Sequence, residues 1–329
     1  MKNVPFRLKS KIFFQGLYDL LTQKPICVSF EVTHSCTGNC RHCDKGGIKK
    51  EENLLSPQQY GEILRQLNPP VVQLSGGEPL LRKDIVEIVR VMKQGGGLPF
   101  IILVTNGSLL TEKKYMELKE VGLDRVSVSL DFPDQRHNTF RRIPGLYQRL
   151  ERLLPRLARK YNYDDIALNS AITQANLPEL LALAKKAQQW GIKISYSAYS
   201  ILRTDDRKYF ISAEEDLHAL RKGIKELIRL KMKDKIILNA ERTLDDTYRF
   251  FRDGMIPHCQ AGRRFLVVRP DGYLNPCSMF PEKIYATQAE VLRQFTAQNK
   301  CGECYVAIRA YTEKSPWQLA QESLKLSFS

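Results

Sequence analysis

The chain has no run of about 18 uncharged apolar residues, so no stretch of it is long enough to cross a bilayer as a helix. Its basic start, Met1–Lys11, is not followed by an apolar core and a small-residue cleavage site. That argues against a secretory signal. There is no low-complexity tract and no short repeat, which sets aside disordered and solenoid architectures. Acidic residues are in deficit: 36 Asp and Glu face 51 Lys and Arg, a net charge of +15. Such a surface suits an anionic partner, or is simply a solvated basic exterior. Cysteines are few for 329 residues, and five of the eight fall in two short clusters. A disulfide framework belongs to short secreted chains, so clustered thiols in a long chain imply metal binding in a reducing cytoplasm. With 43% hydrophobic and 26% charged residues, the composition is that of an ordinary globular protein, sized for one large domain and a small one.

What is present is a repeating pattern. Apolar residues at helical spacing in Met1–Thr22 predict an amphipathic helix, packed across the protein or lying on a membrane surface. Strands are expected at Ile26–Thr33, Val71–Leu74, Phe100–Val104, Asp124–Leu130, Ile166–Ile172 and Ile192–Tyr199. Helices are expected at Ser56–Leu67, Asp84–Lys93, Thr111–Val121, Leu146–Arg159, Pro178–Trp190 and Ala213–Lys231. Strands alternating with helices give a parallel sheet. Six units make about three-quarters of an eight-unit barrel, whose chemistry gathers at the carboxyl ends of the strands. The expected fold is therefore α/β, a partial (β/α)6 TIM barrel with a small C-terminal cysteine-rich domain. The expected divisions are an N-terminal helix to residue 25, a barrel over 26–253 and the cysteine-rich domain over 254–329, ending in a helix at Pro316–Leu326.

After the first strand come Cys36, Cys40 and Cys43, spaced three and then two residues apart. A closed structural zinc site normally takes four ligands. An iron–sulfur cubane held by three cysteines keeps one iron open to bind something else. The second strand ends in Gly76-Gly77-Glu78-Pro79. These two stretches, in a β/α repeat, resemble the radical S-adenosylmethionine (radical SAM) superfamily. The resemblance implies a [4Fe–4S] cluster on Cys36, Cys40 and Cys43, its open iron chelating S-adenosylmethionine. One electron then cleaves the sulfonium to a 5′-deoxyadenosyl radical that abstracts hydrogen from a substrate. It further implies cofactor contacts from His42, at the position where the family meets adenine. Gly76, Gly77, Glu78 and Pro79 would receive the methionyl ammonium, with Thr105, Asn106 and Ser129 as further contacts. Arg141 would face the cofactor carboxylate. Asp131 falls where the family contacts ribose or substrate. Phe132 and Arg142 stand where the family usually has glycine. Asn176 is read either as part of the same family pattern or as a helix cap, and Cys27 as a buried core thiol.

Cys259, Cys277, Cys301 and Cys304 can close a second site. By count alone, zinc and a fully ligated [4Fe–4S] cluster are both open. The pattern Cys259-x12-Gly272-x4-Cys277 resembles the SPASM/twitch extensions of radical enzymes and, with no cysteine after Cys304, the shorter twitch form. That implies one auxiliary [4Fe–4S] cluster and a net oxidation such as hydroxylation or dehydrogenation. The expected substrate is a small or medium-sized metabolite of tetrapyrrole or isoprenoid type, with Arg264 as a substrate-contact candidate. Expected partners are that metabolite and a one-electron donor such as flavodoxin or ferredoxin, with nucleic acid not expected. Location is expected to be cytoplasmic, with peripheral membrane association as an alternative. A maturase of ribosomally made peptides and a tRNA-modifying enzyme are the alternative activities, the former disfavoured by the short N-terminal leader. A zinc-dependent nucleic-acid-binding protein is the alternative outside enzymes. The arginines of Leu146–Arg159 form a stripe expected to face solvent.

Overall fold

The computed structural model describes residues 6–50, 53–93, 97–161 and 164–314. The helix expected at Pro316–Leu326 and the first five residues of the N-terminal segment lie outside them. Helix α1 (Phe6–Thr22) precedes β1 (Cys27–Thr33). Then follow α2 (Pro57–Leu67), β2 (Val71–Gly76), α3 (Ile85–Met92), β3 (Phe100–Thr105), α4 (Glu112–Glu120), β4 (Arg125–Ser129), α5 (Arg136–Arg141) and α6 (Leu146–Tyr161). The chain continues through β5 (Ile166–Ile172), α7 (Leu180–Trp190), β6 (Lys193–Ala198), α8 (Glu214–Asp234) and α9 (Glu241–Asp253). It ends with β7 (Phe265–Val268), β8 (Leu274–Asn275), α10 (Gln288–Glu290) and α11 (Ala307–Thr312).

The eight strands form one open sheet in the order β6-β5-β4-β3-β2-β1-β7-β8. All neighbours are parallel except the β7–β8 hairpin. In β1, Val28 lies beside Val72 on one side and Leu266 on the other. Strand residues alternate in burial. Val72 and Leu74, Val126 and Val128, and Ile194 and Tyr196 are buried in the main core with the helices. Each such side chain contributes about 1.5–3 kcal/mol. Their neighbours Gln73, Ser75, Ser127, Asn169, Ser195 and Ser197 are half-buried on the opposite, inner face. In complete (β/α)8 barrels, branched apolar residues fill that space. Here hydroxyls and amides take much of it, alongside Ile102 and Val104 of β3. Ser29 shares a 2.7 Å hydrogen bond with Ser75, and Ser195 donates to Asn169 at 3.1 Å.

The open sheet is bridged by α11, which packs against both β6 and β7, the Ala307 N–H donating to Ser197 Oγ at 3.0 Å. The six expected β/α units are all present. The differences are local. The helix expected from Pro178 begins at Leu180, because Thr173 and Asn176 close a capping box over a 3₁₀ turn at Gln174–Glu179. Helices α5 and α9 have no counterpart in the expected pattern. Strand β7 lies beyond residue 253 yet hydrogen-bonds to β1. On α6, Arg152, Arg156 and Arg159 are exposed, while Leu150, Leu153 and Leu157 are buried. Helix α1 exposes Phe14, Tyr18 and Leu21. Among the described residues no helix is long and apolar enough to cross a membrane.

Candidate functional site

The segment after β1 closes on itself: Cys36 N–H donates to Gly47 O at 2.9 Å, and Gly47 N–H returns to Gly38 O at 3.0 Å. This holds Cys36, Cys40 and Cys43 in one loop at the carboxyl end of the strand. All three are free thiols, Cys40 buried and the other two half-buried. Donors already point at sulfur. Gly38 N–H and Asn106 Nδ2 lie 3.4 and 3.6 Å from Cys36 Sγ, and Arg141 Nη1 lies 3.8 Å from Cys40 Sγ. Burial raises the Cys36 thiol above its ordinary range, and Glu78, Cys40 and Cys43 add charge repulsion. Burial also raises Cys40, with Arg141 opposing it. Thiols that repel one another as anions need a cation to bring them together.

Gly76 and Gly77 are required by the protein's own backbone. Gly76 has φ +118°, and a Cβ there would lie 2.2 Å from Thr33 O; one on Gly77 would lie 2.0 Å from Ser35 O. Gly77 N–H donates to Thr33 O and Glu78 N–H to Ser35 O, both at 2.8 Å. The glycine pair thus splices the end of β2 to the cysteine loop. Glu78 is fully buried. Its carboxylate accepts from Thr105 Oγ1 at 2.6 Å, Leu80 N–H at 3.1 Å and Asn106 N–H at 2.7 Å. Burial raises its pKa and these three donors oppose the rise. The carboxylate expected to accept from the methionyl ammonium also locks the ends of β2 and β3 together. Pro79 opens the short turn behind it. Asn106 serves both loops, its Nδ2 also donating to Thr37 Oγ1 at 3.0 Å.

Asp131, just past β4, is engaged in the same way. It is fully buried; its Oδ2 accepts from Arg141 Nε at 2.6 Å and its Oδ1 from Ala171 N–H at 3.1 Å. Both oxygens have partners inside the protein, and the residue aims Arg141. Arg141, at the end of α5, turns its other arm to Cys40. Ser129 and Asn169 are in register on β4 and β5. Asn176 is fully buried and donates to Asp131 O at 3.1 Å and Ala171 O at 2.9 Å, so it is both a cap and a brace for the Asp131 loop. His42 is buried, stacks on Phe140 with centroids 4.7 Å apart, and has an Nδ1 without a partner. Burial, then Arg141, lowers its pKa to about 4, leaving the ring neutral. A neutral ring with an unused nitrogen beside a thiol loop fits an adenine edge.

Cys259, Cys277, Cys301 and Cys304 form the second group. The first three share an apolar cluster with Phe265, Met279 and Phe280. Cys277, raised by burial, also feels the charge of Cys304, Cys259 and Cys301. Burial pushes Cys259 up to about 12, with Arg309 pulling the other way. Arg309, which no sequence signal singled out, is fully buried. It donates to Cys304 O at 2.6 Å, to Ile256 O and Pro257 O at 2.6 and 3.1 Å, and to Glu313 at 2.8 Å. One guanidinium therefore ties the Cys304 turn to the approach to Cys259. Among the described residues no three Cys, His, Asp or Glu side chains gather tightly enough to hold one metal ion. A cubane puts each thiolate on a different iron and so needs wider spacing. Cys27 is buried in β1, its thiol raised to about 12 by burial, as expected of a core residue.

Arg264 is not brought to this mouth. Its backbone carbonyl accepts from Ile26 and Cys27 at the amino end of β1, and its Nη1 donates to Thr312 O and Lys314 O. It lies at the far end of the strands from Cys36. The reason is register: β7 starts beside Cys27, so the residue preceding it falls at the floor of the sheet.

Residues 30–184 match the model of the Radical SAM superfamily. The chain is 26% identical, over 90% of its own length and 97% of the relative's, to the AdoMet-dependent heme synthase of Methanosarcina barkeri. It is 30% identical, over 63% of its length and 67% of the relative's, to the GTP 3',8-cyclase of Aquifex aeolicus. The fold is similar to that of Streptococcus suis SuiB in its crystal structure bound to precursor peptide SuiA. The TM-score is 0.59 at 15% identity, covering 92% of this chain and 69% of SuiB.

Proposed function

The chain belongs to the radical SAM superfamily, and on that premise we propose that it oxidises a carboxylate-bearing tetrapyrrole in the making of heme. The observation that carries this is the match to an AdoMet-dependent heme synthase along nearly the whole of both chains. Bound together, a [4Fe–4S] cluster and S-adenosylmethionine supply one-electron cleavage of the sulfonium and a carbon radical that takes hydrogen from the substrate, and an auxiliary cluster supplies an electron acceptor.

The chain's own residues hold, orient and shield. Cys36, Cys40 and Cys43 would ligate the first cluster. The Gly76–Pro79 turn would offer backbone carbonyls to the methionyl ammonium, with Glu78, Thr105 and Asn106 fixing its shape. Arg141, aimed by Asp131, would meet the cofactor carboxylate, and neutral His42 the adenine. Cys259, Cys277, Cys301 and Cys304 would hold the auxiliary cluster in an apolar shell that keeps water out. The hydroxyls and amides of the inner face, Ser129 among them, would receive the polar groups of the substrate. The excess of basic charge favours an acidic electron donor of flavodoxin or ferredoxin type. The exposed Phe14, Tyr18 and Leu21 of α1 support contact with a membrane surface near that substrate.

The higher identity to a GTP 3',8-cyclase favours a second reading, a nucleotide substrate. Both substrates are anionic, so charge does not separate them. Anaerobic protein given S-adenosylmethionine, a reductant and either a carboxylate-bearing tetrapyrrole or GTP is the test. Formation of 5′-deoxyadenosine in step with a change in the tetrapyrrole's absorption is expected. Turnover of GTP alone would overturn the proposal.

A further inference from the structure

The loop that follows β6 touches the cysteine loops of both sites. Ser200 opens it, and its hydroxyl donates to Glu303 O, beside Cys304, at 3.0 Å. A single 3₁₀ turn, Ile201–Arg203, follows. The Arg203 guanidinium then reaches in two directions. Nη1 donates to Asp44 Oδ1 at 2.8 Å, and Asp44 follows Cys43. Nη2 donates to Ser278 Oγ at 3.1 Å, and Ser278 follows Cys277. The side chain is 23% exposed. Burial works against its charge, while Cys43, Asp44 and Glu31 support it. Its field in turn is one of those that keep His42 neutral. Only arginine can make such a link: its planar fork bonds two separated acceptors at once, and it stays charged where it is poorly hydrated.

Resting on the reading that both cysteine groups hold clusters, we propose that Arg203 is a positioning residue that couples the two sites, tying the Cys43 loop to the Cys277 loop with a fixed positive charge between them. Both sites are anionic, since thiolates outweigh iron charge in a cysteine-ligated cubane. A cation held between them stabilises an added electron on either. Charge and hydrogen bonds around the sulfurs set the reduction potentials of such clusters. Removal of Arg203 therefore lowers both potentials, whereas a residue that served only to brace the loop would leave them in place.

The full-length protein, purified and loaded with iron and sulfide under anaerobic conditions, serves for the test. Iron content and reductive titrations followed by electron paramagnetic resonance are measured on wild type, Arg203→Met and Arg203→Lys. Arg203→Met is expected to keep the wild-type iron content and to shift both signals to lower potential. Arg203→Lys, which keeps the charge, is expected to restore most of that shift. Wild-type potentials in Arg203→Met would overturn the coupling. Iron for only one cluster in the wild type would instead overturn the two-site reading, so the two failures are distinct. Should Arg203→Met load no iron, Arg203→Gln carries the test, because it removes the charge but keeps a polar side chain of similar length. Both potentials are then expected to fall, and unchanged potentials overturn the proposal.

Discussion

The two cysteine groups use the same ligand atoms and differ in nearly everything around them. At the first, Cys36 and Cys43 are half-buried in a loop that stays open to the inner face of the sheet. The surrounding polar groups, Gly38 N–H, Asn106 and Arg141, point at sulfur. At the second, Cys259, Cys277 and Cys304 are buried and Cys301 half-buried, their neighbours are apolar, and the cation Arg309 divides its hydrogen bonds between backbone carbonyls and the Glu313 carboxylate. An open loop with spare donors suits a site that must admit another molecule. A dry shell with a braced backbone suits one that only holds charge. Three cysteines against four is the count that goes with that contrast.

The comparison breaks most visibly at its first member. Cys36→Ala should reduce 5′-deoxyadenosine formation to background while the second group keeps its iron; loss of all iron would mean that the sites do not load independently. Arg309→Met strikes the other side. Removing a fully buried charge that braces three carbonyls should cost about 3–5 kcal/mol in urea unfolding, of the size seen when a buried pair loses one partner. It should deplete iron at the second site first.

Acid should separate the two sites as well. His137, which accepts from Asp131 N–H, has its pKa lowered by burial to about 3, below the ordinary 6.5. Its contribution to stability is therefore complete above pH 6.5 and is lost as pH falls from there towards 3, a few kcal/mol at most. Among the described residues no buried histidine flanks the second group. Hydrogen exchange should show α5 opening before α11 on acidification, and His137→Asn should remove that difference.

Two smaller effects refine the picture. Gly77→Ala, facing Ser35 O at 2.0 Å, should cost about 1–3 kcal/mol, and should weaken S-adenosylmethionine binding in equilibrium dialysis. Arg264→Ala should change stability by about 1 kcal/mol, with cofactor cleavage and substrate turnover unaltered. A raised substrate KM would return Arg264 to the mouth.

The β/α order was readable from sequence because each unit is local. Ser56 and Pro57 mark the start of α2, Gly191 the end of α7, and apolar spacing does the rest. The first three thiols were readable as one loop because their spacing is also local. Three things were not. Helix α5 is only six residues long and α9 carries charged residues through most of its length, so both owe their form to packing. The place of Arg264 depends on β7 joining β1, a pairing that spans the whole barrel in sequence. The contacts made by Glu78, Asp131, Arg203 and Arg309 are invisible to spacing, since each reaches partners in segments distant in sequence. A motif shows which residues collect at a mouth. It does not show which of them are already occupied by one another.

The pairing of β7 with β1 also has a consequence for how the protein is made. The hydrogen-bonding groups of Cys27–Phe30 that face β7 find their partners only at Phe265–Val268. During synthesis, that edge of an apolar strand must wait for more than two hundred residues to be added. A free edge of this kind is a template for pairing with other chains, and a contact so distant in sequence forms slowly. The loop that carries the first three thiols hangs from the same strand. That loop therefore gains its β7 neighbour only late in synthesis, and protection of the nascent chain falls to whatever covers β1 in the meantime.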